Sequence, residues 1–149
     1  MTDQDVCVVV PTIREWDCVA DYVANAREHG FDTDRLEFVL VTEDFCPTDE
    51  MRALLDDLDV AGRVFDEQAR AEWYESQGIS EYEHLVPAAS HAQTSFGLLY
   101  LWANDHPYCV FVDDDTLPHD DVDFFGTHLA NLGFEGEVTE VASDERWVN

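Results

Sequence analysis

The chain has 149 residues, and its 34 Asp+Glu against 7 Lys+Arg give a formal net charge of -27. An apolar content of 46% sets it apart from disordered acidic chains. The charge argues against a nucleic-acid partner, whose phosphates call for a basic patch. All seven cations are arginine: Arg14, Arg27, Arg35, Arg52, Arg63, Arg70 and Arg146, with no lysine. The length suits one domain with its own core. The acidity fits very high salt, since at about 1 M the Debye length falls to about 3 Å and surface repulsion is screened. We therefore expect a halophile's cytoplasmic protein. The polar start MTDQD is unlike a signal peptide. No apolar run reaches the roughly 20 residues of a membrane span. None of the four cysteines stands in CxxC spacing, and Cys7 and Cys109 lie within apolar runs and read as core.

In chain order, VCVVVP (Val6–Pro11) is a β-branched apolar run that predicts a strand buried on both faces. Trp16, Val19, Ala20, Val23 and Ala26 recur at helical spacing up to Gly30. Leu36–Thr42 predicts a second strand. Pro47–Leu58 predicts a second helix, with Met51, Leu54, Leu55 and Leu58 on one face and Asp49 and Glu50 near its start. Gly62–Asp66 is a short third strand. Glu67–Leu85 contains Trp73, Tyr74 and Tyr82 without a sustained period, and reads as a long loop with at most one helical turn. Ala88–Asn104 predicts a helix, apolar around much of its circumference and so heavily buried. Tyr108–Val112 is a fourth strand, followed by DDDTLP, a helix from Asp120 to Leu132, and a further strand at Val138–Val141.

Strands alternating with helices predict an α/β three-layer sandwich with a mostly parallel sheet. In such folds ligands bind beyond the carboxyl ends of the strands. The residues leaving the four strands are PTIRE, TEDF, DEQ and DDD. Divalent Mg²⁺ and Mn²⁺ take oxygen ligands, commonly one or two carboxylates plus substrate phosphates. On an extended strand end, Asp113 and Asp115 would point to one side and Asp114 to the other. One carboxylate could then meet a metal while another accepts a ribose hydroxyl.

The ordered set of PTIRE after the first strand, SFG (Ser95–Gly97) in the third helix and YCVFVDDDTLP resembles the reversibly glycosylated polypeptides, also called UDP-arabinopyranose mutases. More broadly it resembles the nucleotide-sugar half of A-type glycosyltransferases, over roughly Val6 to Asp120. The resemblance implies binding of a nucleotide diphosphate sugar, most naturally a UDP-sugar, with Mn²⁺ or Mg²⁺, for glycosyl transfer or sugar ring mutation. It places Pro11, Thr12 and Arg14 at the base and ribose, and Asp44, less firmly Glu43, beside the nucleotide. Asp113, Asp114 and Asp115 would bind metal and ribose, the metal falling to Asp113 and Asp115. Glycosylated family members carry an arginine two residues before Phe-Gly, and here that place is Thr94. The departure counts against self-glycosylation and weakens the case for mutase activity.

Arg14 is equally readable as a phosphate contact or as one half of a surface ion pair. Gly97 would admit a close backbone or ligand, or simply pack helix against strand. His119, four residues after Asp115, is a further candidate for metal or phosphate, and His91 for a base or sugar contact. Two other functions stay open. One is a non-catalytic nucleotide-binding module; the other is an aspartate-based phosphatase. Against the phosphatase, Thr116 stands one place too early for Asp-x-Asp-x-Thr, and the chain has no lysine. Since 34 residues follow Asp115, we expect the chain to be the N-terminal part of a longer glycosyltransferase-like protein. A homo-oligomer is compatible with this reading.

Overall fold

A computed structural model describes residues 5–14, 16–90, 92–132 and 136 of the chain. The four strands are β1 (Val6–Pro11), β2 (Leu36–Val41), β3 (Ala61–Phe65) and β4 (Tyr108–Phe111). They form one sheet in the order β3-β2-β1-β4, with every pairing parallel. Val6 registers with Leu36 on one side and Tyr108 on the other, so β1 and β2 are central. That position explains their composition: β2 is buried at every residue and β1 at all but Pro11, leaving no face for polar alternation.

The helices are α1 (Cys18–Glu28), α2 (Thr48–Asp57), α3 (Glu67–Gln77), α4 (Gln93–Ala103) and α5 (Phe124–Asn131). Helices α1, α2 and α5 pack on one sheet face, through Val19, Tyr22, Met51, Leu55 and Phe125 against Val8, Val10, Phe38 and Leu40. Helices α3 and α4 cover the other, through Tyr74, Phe96 and Tyr100 against Cys7, Val9, Val39 and Val41. The protein is thus an α/β three-layer sandwich with an all-parallel sheet. Among the described residues no helix is long and apolar enough to cross a membrane.

The largest departure from expectation is α3, an eleven-residue helix where the sequence predicts a loop. Its ends are well specified. Asp66 accepts a hydrogen bond from Ala69 N at 2.8 Å, and Gly78 closes the helix in the left-handed region at φ 69°. The apolar period is broken because one of its buried positions is Arg70. A 3₁₀ turn at Ser80–Leu85 completes the segment.

Helix α4 starts later than expected: residues 86–90 are not helical, and Ala89 sits at φ 51°. It is also less buried than expected: Leu98 is 50% and Trp102 76% exposed. Its buried face, Gln93, Phe96, Gly97 and Tyr100, lies on β1 and β2. A Cβ on Gly97 would stand 2.3 Å from Val9 Cγ1, so tight helix-strand packing accounts for this glycine. Helix α5 begins at Phe124 rather than Asp120, capped by Asp123, which accepts from Gly126 N at 2.9 Å. The strand expected at Val138–Val141 lies outside the described residues.

Candidate functional site

The chain runs outward through β1, β2 and β3, then returns to place β4 on the other side of β1. The reversal leaves a crevice beyond the carboxyl ends of β1 and β4, where ligands of open α/β sheets bind. A cavity of about 500 Å³ lies there. Pro11, Thr12, Ile13 and Arg14 line it from β1, and Glu43 and Phe45 from beyond β2. Ala89, Ser90, Gln93 and Thr94 line it from the start of α4, and Asp113, Asp114 and Asp115 from β4. A second hollow of about 480 Å³, lined by Thr33, Asp34, Leu55, Asp56, Asp59, Val60 and Ala61, lies at the other end of the sheet, where β3 begins. Strand topology and converging polar groups favour the first.

Thr12 ties the crevice together. It is 2% exposed, and its backbone N–H donates to Val41 O at 2.9 Å. Its hydroxyl donates to Asp114 Oδ2 at 2.8 Å, linking the ends of β1 and β4. Arg14 N–H in turn donates to Thr12 Oγ1 at 3.3 Å.

The aspartates do not continue the strand. β4 ends at Phe111, and Thr116 folds back to donate to Asp113 O, from its N–H at 3.1 Å and its hydroxyl at 2.8 Å. Strand alternation therefore fails to apply: a turn brings all three aspartates to one cavity wall. Asp113 and Asp115 are exposed and Asp114 is half-buried under its bond from Thr12. With Thr116 donating to Asp113, the Tyr22 hydroxyl 3.3 Å from Thr116 Oγ1 is the donor of their contact, so α1 supports the turn.

Arg14 is exposed on the cavity rim. Arg35 pairs with Asp5, Arg52 with Asp49, Arg63 with Glu37 and Arg70 with Glu43, while Arg27 donates to Leu58 O. Among the described residues the Arg14 guanidinium has no such partner, although acids outnumber cations so heavily.

Of the two acids beyond β2, Glu43 and not Asp44 lines the cavity. Asp44, favoured from the sequence, turns away: its Oδ1 accepts from Glu67 N at 2.9 Å and Gln68 N at 3.3 Å, at the N-terminus of α3. Glu43 forms the cavity wall instead, and is 1% exposed. Its Oε1 accepts from Ala89 N at 2.9 Å and from Gln93 Nε2, holding Ala89 and the start of α4 against the end of β2. Its Oε2 lies 3.6 Å from Arg70 Nη2 and makes no hydrogen bond within the described structure. Arg70 also donates to Thr42 O and Phe65 O. Nearby, interaction with the adjacent Glu43 carboxyl holds the Glu67 carboxyl above its ordinary range, with burial adding to the effect. Sequence reasoning missed Arg70, Gln93 and Phe45. Arg70 fell within the expected loop, and the other two carried no signal.

His119 does not line the cavity; its Nδ1 accepts from Asp121 N at 3.2 Å. His91 lies outside the described residues. Burial, helped by the charge of Asp114, pushes the Cys18 thiol up to about 11, so it stays protonated at neutral pH. Among the described residues no three His, Cys, Asp or Glu side chains converge as a metal cage. The donor set at Asp113 and Asp115 fits an ion that takes one or two carboxylates and completes its shell with ligand oxygens and water. No family model matches the chain, and no curated protein matches it by sequence.

Proposed function

We propose that the chain binds a nucleotide diphosphate sugar, a UDP-sugar foremost, together with Mn²⁺ or Mg²⁺, for glycosyl transfer or sugar ring mutation. The observation that carries this reading is the Thr12–Asp114 hydrogen bond, 2.8 Å long, which fixes the aspartate turn over the cavity where the strand order reverses. Asp113 and Asp115 are the exposed oxygen donors that would hold the ion. When bound, the ion supplies positive charge beside the diphosphate and Lewis-acid support for its departure. Asp114, steadied by Thr12, keeps its other oxygen for a ribose hydroxyl. Arg14, without a protein partner among the described residues, offers a fixed cation to the phosphates. Glu43, its Oε2 turned to Arg70, braces the wall of the cavity through Ala89 N and Gln93.

The test is titration of UDP and UDP-sugars in molar KCl, with and without Mn²⁺. The expected result is metal-dependent binding that Asp115→Ala abolishes. Unchanged binding in that variant removes the metal assignment. Turnover of the sugar nucleotide separates an enzyme from a binding module, and hydrolysis of a generic phosphoester would favour a phosphatase.

A further inference from the structure

Phe45 is the large apolar side chain that the fold most conspicuously leaves in the open at this cavity. It is 73% exposed, and Ile13, also lining the cavity, is 47% exposed. Their positions are built. Cys46 N–H donates to Glu43 O at 2.9 Å, closing a tight turn with Phe45 inside it. The turn is anchored on either side of Phe45 by buried residues, Glu43 at 1% and Cys46 at 7% exposure. Cys46 Sγ contacts Ile13 O at 3.5 Å, which ties the turn after β2 to the loop after β1. Two loops are thereby joined so that each presents an apolar side chain to the same hollow.

The cavity is divided along the sheet. Its β4 end carries three aspartates, and its β2 end carries Phe45 and the buried Glu43, to which Ile13 of the loop after β1 is tied through Cys46. An exposed aromatic face beside an aliphatic one takes a flat ring, and every nucleobase has one. We infer that Phe45, with Ile13, is the platform on which the base of the bound nucleotide stacks, the diphosphate lying toward Asp113 and Asp115. This rests on the nucleotide-sugar reading of the cavity. Stacking needs no protein cation, which suits a site with so few. It also persists in molar salt, where contacts between exposed charges are screened.

The experiment titrates UDP and inorganic pyrophosphate, each with Mn²⁺ in molar KCl, into the wild type, Phe45→Ala and Phe45→Tyr. Loss of one base–aromatic stack should weaken UDP binding to Phe45→Ala by about tenfold to a hundredfold. Pyrophosphate binding should be unchanged, and Phe45→Tyr should bind UDP as the wild type does. Unchanged UDP binding in Phe45→Ala overturns the platform. So does equal weakening of UDP and pyrophosphate, which would mark a disturbed loop. A wild type that binds pyrophosphate but not UDP rejects the platform and leaves the metal site standing. A wild type that binds neither rejects the nucleotide-sugar reading and the platform with it.

Discussion

Arg70 and Glu43 are almost free of solvent, at 4% and 2% side-chain exposure, and each is the other's charge partner at 3.6 Å. Removing one leg of such a pair leaves an uncompensated buried charge, which costs about 3–5 kcal/mol. Arg70→Leu should therefore lower the unfolding free energy by roughly that amount. Glu43→Gln in the same background should recover part of it, both measured by denaturant unfolding in molar KCl. A loss below about 1 kcal/mol, the scale of an exposed pair, would mean that the pair is hydrated. The same residues show what a sequence can reveal of a site. Asp113–Asp115 stood out because an apolar strand runs directly into them. Glu43 and Asp44 are adjacent acids, and nothing local distinguishes them. Their roles separate only through distant partners: Arg70, Ala89 and Gln93 for Glu43, and the N-terminus of α3 for Asp44.

At the scale of elements, the contact between α4 and β1 is the least forgiving. Val9 is fully buried in a central strand, is stiff at χ1, and would meet a Cβ on Gly97 at 2.3 Å. Gly97→Ala should force α4 off the sheet and cost about 1–3 kcal/mol, the usual range for overpacking a core. Because Gln93 and Thr94 on α4 form part of the cavity wall, the variant should also bind nucleotide less tightly. Thermal unfolding and the UDP titration check the two effects separately, and an unshifted melting curve would show that the layers can part freely. By contrast, the outward Trp102 on the same helix has little packing to lose. The central strands β1 and β2 were legible because they are apolar on both faces, and the edge strands β3 and β4 because each carries a short apolar run. The helices were legible where their buried stripe was mainly apolar. Helix α3 was hidden by its buried arginine. Helix α4 looked more buried than it is, because Leu98 and Trp102 extend its apolar character onto the solvent side.

For the molecule as a whole, charge is the governing quantity. At a net -27, few carboxylates find a cation: the described arginines that form ion pairs engage Asp5, Glu37, Glu43 and Asp49. The remainder repel one another over a range set by the solution. That range is about 30 Å at 0.01 M salt, comparable to the domain itself, and about 3 Å at 1 M, shorter than most spacings between surface charges. Folding gathers these charges together, so the native state bears the repulsion more than the unfolded chain does. The unfolding midpoint should therefore climb steadily from dilute buffer to molar KCl. For a domain of this size, each 1 kcal/mol of relieved repulsion is worth roughly 2–8 °C. Sucrose, which strengthens burial without screening charge, serves as the control. A midpoint that rises with KCl no more than with sucrose would show that the surface is not tuned to salt. The same screening acts on the cavity: any hold of exposed Arg14 on an anion would weaken as salt rises, whereas the buried Glu43–Arg70 pair, the Thr12–Asp114 bond and the Phe45 face would lose little. Molar salt would thus shift recognition at this cavity away from exposed charge and toward the parts of the site that the fold itself keeps in place.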